Sequence, residues 1–231
     1  MKLPNIIRSA AIAGTLAAAV PAAAAELDVI DMRRLEAPSG NVAAGREKAA
    51  VCANCHGENG KATAPLFPSV AGLPESYLYW KLMAFKQSTR ADSVMTPLVA
   101  ANTEEDLRDI AAFYASLPFE AESTLVPEPV DDAVLERGRG LYLSGDPARG
   151  VPPCQGCHGP EGAGPPGGKP FQHAWPSLRG QQAMYVSQRL ANYQAGYAID
   201  TSQDKIMAGV ARGLTAEDIA ALSAYIERIG R

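Results

Sequence analysis

The run Cys52-Ala53-Asn54-Cys55-His56 constrains this chain more than any other stretch, because it returns as Cys154-Gln155-Gly156-Cys157-His158. Together the two runs hold all four cysteines and two of the three histidines. Thiols spaced this way sit about one helical turn apart, so both can add across the two vinyl groups of one porphyrin. The adjoining imidazole then swings under the ring and binds iron. Gly57 and Gly159 follow directly, which lets the backbone turn sharply away from the haem face.

Three other uses of paired cysteines fit less well. Zinc sites close their C-x-x-C pairs across a short loop, whereas these runs begin 102 residues apart and each carries a His after its second Cys. A thioredoxin-like redox pair needs a strand-turn-helix setting, and the flanks here are alanine-rich and helical in character. Structural disulfides would not explain the histidines.

Export agrees with covalent haem. Met1-Lys2-Leu3-Pro4-Asn5-Ile6-Ile7-Arg8 is basic, Ala10 to Val20 is apolar, and Pro21 to Ala25 supplies an A-x-A site. This predicts a signal peptide over residues 1–25, cut after Ala25, and delivery to the periplasm. The apolar part is too short to span a bilayer comfortably, so no stable membrane insertion is expected after cleavage. Without Lys2 and Arg8, 19 basic residues face 25 acidic ones, a net charge of −6, which argues against a nucleic-acid partner. Aromatic residues make up 6% of the chain, few for a core of this size, and two buried porphyrins would supply the missing apolar bulk.

The rest of the chain reads as one unit used twice. An extended arm over 26–40 leads to a helix from about Val42 to Val51, with Asn41 as N-cap. Pro74 precedes a helix from Glu75 to Gln87, and Thr103-Glu104-Glu105-Asp106 opens a last helix that Pro118 stops. Pro68-Ser69-Val70-Ala71-Gly72 matches Pro176-Ser177-Leu178-Arg179-Gly180 at an offset of 108 residues, and Tyr77, Leu82 and Phe85 match Tyr185, Leu190 and Tyr193. Further on the offset is 112: Met95 matches Met207, Thr103 matches Thr215, and Glu105-Asp106-Leu107 matches Glu217-Asp218-Ile219. Two domains of one fold follow, at 41–118 and 133–231, each with one haem, joined by an acidic, proline-bearing linker over 119–132. Two Pro/Gly-rich stretches, Ser144 to Pro153 and Gly162 to Trp175, occur only in the second half and read as surface loops.

A haem iron held by His needs a sixth ligand or an open position. Of the six methionines, only Met95 and Met207 occupy equivalent places, each in a loop just before the last helix of its half. Met83 aligns with Ala191 and Met184 with Ser76. Axial ligation by Met95 and Met207 is therefore expected, with His56 and His158 opposite. His/Met ligation raises the reduction potential and fills both axial positions, so the expected chemistry is one-electron transfer and not catalysis on a bound substrate. His173 has no counterpart in the first half and reads as a loop histidine. A carbonyl at Pro68 or Pro176 is placed to accept the imidazole N–H and fix the ring, although each is also a plain turn proline.

Over residues 41–230 the chain resembles cytochrome c4, the two-domain, two-haem class I cytochromes c. The resemblance lies in both C-x-x-C-H-G runs, the P-S-V-A-G and P-S-L-R-G segments, the Met-to-helix endings, and Gly140-Leu141-Tyr142 through Val151-Pro152-Pro153-Cys154. It implies an all-α fold of two tandem class I cytochrome c domains, with two haem c groups packed across a pseudo-twofold interface. It implies thioether links at Cys52, Cys55, Cys154 and Cys157, and iron ligation by His56, Met95, His158 and Met207. The role it implies is a periplasmic electron shuttle. Such a shuttle takes electrons from a quinol-cytochrome c reductase or a dehydrogenase and feeds a terminal oxidase. The runner-up is an electron-accepting subunit of a dehydrogenase, such as flavocytochrome sulfide dehydrogenase. The 162–175 loop and Leu73, where the family often has Gln, depart from the pattern; Gln181 keeps it in the second half.

Overall fold

Asn41 begins the first scaffold: its side-chain oxygen accepts from the Ala44 N–H at 3.1 Å and caps α1 (Val42–Lys48). A 3-10 turn (Ala49–Val51) leads into α2 (Ala53–His56), and α3 (Glu75–Gln87), α4 (Met95–Val99) and α5 (Glu104–Ser116) follow. The second half repeats the order with α6 (Asp132–Ser144), a 3-10 turn (Pro147–Arg149), α7 (Gln155–His158), α8 (Ala183–Gln194), α9 (Ser202–Ala211) and α10 (Ala216–Arg228). The structure, a computed structural model, describes residues 29–32, 39–87, 93–119, 125–165, 174–197 and 199–229. The expected signal peptide, most of the arm, the middle of the linker and His173 lie outside the described residues. Among those described, extended pairing is limited to two isolated bridges, Ile30 with Thr201 and Asp146 with Val151.

Helix packing is the same in both halves. The first helix crosses the last (α1 on α5, α6 on α10), the third packs on the last (α3 on α5, α8 on α10), and the fourth packs on the third (α4 on α3, α9 on α8). The crossing is tight enough to require glycine. A Cβ on Gly45 would lie 1.9 Å from the Asp109 carbonyl oxygen, and one on Gly138 would lie 2.1 Å from that of Ala221. Asp109 and Ala221 are equivalent under the 112-residue offset, so both domains are pinned at the same point. Loop hydrogen bonds repeat too: Gly72 N–H donates to the Tyr114 carbonyl at 2.9 Å, and Gly180 N–H to that of Ile226 at 3.1 Å.

Three Thr-x-x-Asp boxes cap helices. Thr103 with Asp106 opens α5 and Thr215 with Asp218 opens α10, as the sequence predicts; Thr201 with Asp204 opens α9, which it did not anticipate. In each box the aspartate also draws in a cation. Lys48 reaches Asp106 at 2.8 Å and Arg137 reaches Asp218 at 2.5 Å, tying first helix to last within a domain. Hydrogen bonds from Lys48 and Thr103 hold Asp106 well below the usual carboxylate range. Burial pushes Asp218 upward, but bonds from Arg149, Thr215 and Arg137 outweigh it and hold it low as well.

Two loop expectations change. In the stretch from Ser144 to Pro153, Asp146 and Val151 exchange N–H···O bonds at 2.8 and 2.9 Å, and Val151 is buried in the second core while Arg149 pairs with Asp218. Most of the stretch is exposed, as expected of a surface loop, but Val151 anchors it in the core and Arg149 ties it to α10. At the linker, Phe119 stacks under the Lys61 ammonium, 5.0 Å from the ring centroid, and its carbonyl accepts from Lys61 Nζ at 2.5 Å. Glu128 takes a hydrogen bond from Arg228. Each end of the linker is thus docked on the domain it borders.

Candidate haem sites

Each Cys-x-x-Cys-His run forms a single turn of helix. Cys52 precedes α2 and His56 ends it; Cys154 precedes α7 and His158 ends it. The turn closes through His56 N–H to the Cys52 carbonyl at 3.0 Å and His158 N–H to the Cys154 carbonyl at 2.9 Å. Gly57 and Gly159 then take φ of 73° and 78°, where a Cβ would sit 2.2 Å from the Lys61 carbonyl oxygen and 2.3 Å from that of Gly164. Only glycine allows that exit.

His56 Nδ1 lies 2.9 Å from the Pro68 carbonyl oxygen and His158 Nδ1 2.8 Å from that of Pro176. A carbonyl can only accept, so Nδ1 carries the proton and donates, and the Nε2 lone pair is left for a metal. Burial lowers the pKa of both imidazoles, against the opposing pull of the proline carbonyls, which favours the neutral form that can bind iron. No disulfide joins any of the four cysteines, and burial raises the Cys154 pKa to about 11.

Met95 and Met207 pack against the cores of their own domains, the same cores on which Cys52 and Cys154 respectively pack. The loop expected for each methionine is corrected: Met95 opens α4 and Met207 sits inside α9. Met83 is core filling, at 5% exposure, and Met184 is on the surface at 52%. No group of three His, Cys, Asp or Glu among the described residues is arranged to hold a metal ion, so the two Cys pairs do not meet as a zinc site.

The cytochrome c family model matches residues 42–118 and 136–229. The chain belongs to the cytochrome c family. Cytochrome c4 of Pseudomonas aeruginosa is 37% identical over 189 residues, covering 82% of this chain and 89% of that protein. The crystal structure of reduced recombinant cytochrome c4 from Pseudomonas stutzeri superposes with a TM-score of 0.70 at 33% identity, over 83% of this chain and all of that one. A thiosulfate dehydrogenase electron acceptor of Stutzerimonas stutzeri is 28% identical, over 79% of this chain and 81% of that protein. The chain is accordingly an all-α, two-domain cytochrome of the c4 type. It is an electron carrier, not an enzyme, and binds two covalently attached haem c groups.

The residues present suit that group. Two thiols and a neutral imidazole converge on one turn in each domain. Buried polar atoms without a protein partner are rare, and Trp80 Nε1, Thr96 Oγ1, Tyr114 OH and Gln182 Nε2 are such atoms. Thr96 adjoins Met95, and Tyr114 meets His56 edge to face at 6.4 Å between ring centroids. Donors of this kind suit the two carboxylates of a haem.

Several residues around the sites have roles that the sequence did not reveal. Tyr142, fully buried, donates to the Gly159 carbonyl at 2.7 Å and braces the exit from the second motif. Gln181 reaches across to the first domain: its Oε1 accepts from Ser69 N–H at 2.8 Å and its Nε2 donates to the Ser69 carbonyl at 2.9 Å. Ser69 follows Pro68, the residue that holds His56. In the other direction Lys81 Nζ reaches Asp204 Oδ1 at 2.5 Å. Burial pushes Asp204 up, but Lys81, Arg189 and Thr201 outweigh it and keep it below the usual carboxylate range. A glutamine at a repeat position and a third Thr-x-x-Asp box were the available signals.

Proposed function

We propose that the protein is a periplasmic electron shuttle with His56 and Met95 as axial ligands of one iron and His158 and Met207 of the other. Thioether links form at Cys52 and Cys55 and at Cys154 and Cys157. The observation that carries this is the repetition: in both domains an Nδ1–H···O=C bond to a proline aims the histidine, and a methionine at the matching position packs on the same core as the first cysteine of the motif. Haem iron supplies a one-electron couple. The protein's part is to fix ligand orientation and to keep water away. Pro68 and Pro176 lock the imidazoles in one tautomer. The methionines favour the reduced state relative to a second histidine, and their apolar surroundings limit reorganisation. Donors would be a quinol-cytochrome c reductase or a dehydrogenase, and the acceptor a terminal oxidase. Among the described residues no helix is long and apolar enough to cross a membrane.

Mass spectrometry of the exported protein should give a chain starting at Glu26 with two haem additions. Met207→Ala should remove about half of the long-wavelength sulfur-to-ferric band and lower one potential, since axial ligands span about 0.8 V across haem proteins. A single addition, or a full band in that variant, overturns the assignment. A second reading, a dedicated electron acceptor of a dehydrogenase, is favoured by the similarity to the thiosulfate dehydrogenase electron acceptor. Capture of one stable dehydrogenase partner from the periplasm would decide for it.

A further inference from the structure

We propose that Asp204 is a positioning residue through which the first domain holds Met207 in place on the second iron. This rests on Met207 being the axial ligand, as proposed above. Asp204 and Met207 lie three residues apart on α9, so they share one face of one turn. The two oxygens of Asp204 do different things. Oδ2 closes the cap, accepting from Thr201 N–H at 3.0 Å and Thr201 Oγ1 at 2.8 Å. Oδ1 accepts from Lys81 Nζ of the first domain at 2.5 Å, from Tyr193 OH at 2.9 Å and from Arg189 at 3.3 Å.

The arrangement is built, since Asp204 is 1% exposed and Thr201 not at all. It is also reinforced by the arm. Ser202 N–H donates to the Ile30 carbonyl at 2.9 Å, Met32 N–H donates to Ser202 Oγ at 3.0 Å, and the Ile30 side chain packs on the first core. The start of α9 is therefore gripped from the first domain by a side chain and by a strand of the arm. The other two boxes recruit cations from their own domains. Among the described residues, the box on the Met207 helix alone adds a cation from across the interface, Lys81, to one from its own domain, Arg189. When the domains shift relative to one another, the shift is delivered to the helix that carries the ligand.

The experiment uses the full two-haem protein. Asp204→Asn cannot serve both the cap and Lys81 with acceptor oxygens, so α9 loses one hold. The second iron's share of the sulfur-to-ferric band should disappear at temperatures where far-ultraviolet circular dichroism is still native. Carbon monoxide should bind one of the two ferrous haems about tenfold faster or more. Lys81→Met leaves the cap intact and should change the same haem in the same direction; Lys81→Arg should restore it. Asp106→Asn, the same lesion on a helix with no iron ligand, should leave the band and both binding rates unchanged. Should Asp204→Asn fail to fold, Lys81→Met decides. A full band with unchanged binding rates in Lys81→Met, while Met207→Ala halves the band, overturns this inference and leaves the ligand assignment standing. A full band in Met207→Ala overturns the assignment itself. Loss of band and helix together in Lys81→Met would show a role in stability alone and also overturns the inference.

Discussion

The two domains share a scaffold to the level of single hydrogen bonds, yet each reaches a different side of the other's site. The second domain sends Gln181 to Ser69, next to the carbonyl that aims His56. The first sends Lys81 to Asp204, one turn ahead of Met207. Neither contact has a mirror image. The counterpart of Gln181 is Leu73, buried in the first core, and the counterpart of Lys81 is Arg189, which turns to the same Asp204. Duplication supplies a symmetric frame, and a few substitutions at equivalent places make the two iron sites unequal. The interface bears on the segment that aims His56 in one domain and on the helix that carries Met207 in the other, two of the proposed iron ligands.

Lesions at equivalent positions can break this comparison or sharpen it. The largest effect is expected where symmetry is complete. Gly45→Val and Gly138→Val each force a side chain into a backbone carbonyl and should cost about 3 kcal/mol or more of stability, each unfolding its own domain first in differential scanning calorimetry. Next come the caps. Asp218→Asn strips a fully buried carboxylate from two arginines and should cost about 3 kcal/mol in urea titrations, well above the effect of Asp106→Asn at the more exposed first-domain box. Because the folded pKa of Asp218 lies below an unfolded value of about 3.9, its stabilisation is complete above that pH and is lost as pH falls through the folded pKa. Stability of the second domain should therefore fall in acid below that value.

At the interface, Gln181→Leu leaves the Ser69 N–H and carbonyl without partners and should weaken docking by about 2 kcal/mol, read as easier separation of the domains after cleavage of the 119–132 linker. It should shift the potential of the first haem, whereas Lys81→Met should shift that of the second. A redox titration in which both variants move the same haem would remove the asymmetry. The smallest effect separates two tyrosines behind the motifs. Tyr142→Phe loses its bond to Gly159 and should cost about 1 kcal/mol. Tyr114→Phe, whose hydroxyl has no protein partner and is left for the haem, breaks no bond within the protein and should lower stability in the same denaturation assay only through the haem.

Much of the scaffold was legible because its signals are local. Asn41, Pro74, Thr103 and Thr215 announce helices within four residues of where they act. The haem motifs are contiguous, and a Pro-Ser pair marks the carbonyl in both halves although it follows the histidine by 12 residues in one and 18 in the other. Helix α9 was missed because Gln203, Asp204 and Lys205 interrupt any apolar period ahead of Met207, and its cap had to be recognised instead. Val151 was misjudged because Pro and Gly around it signal a loop, while its burial depends on residues far along the chain. The interface pairs were not readable at all. Ser69 with Gln181 and Lys81 with Asp204 join positions 112 and 123 residues apart, and no periodicity marks which residue of one copy faces the other.

The arm has a kinetic consequence. Met32 bonds to Ser202, 170 residues away, so it is made early in synthesis and has to wait for nearly the whole chain. Closing so long a loop costs only modestly more than closing a short one, since the cost grows with the logarithm of length. Contacts of such separation nevertheless form late, after local helices and their cores. Each domain should therefore reach its own fold before the arm seals them together, and the seal should be the first element to open. Hydrogen exchange at the Ile30, Met32 and Ser202 amides should accordingly run ahead of exchange in α5 and α10. The first described residues of the chain are the last to be locked.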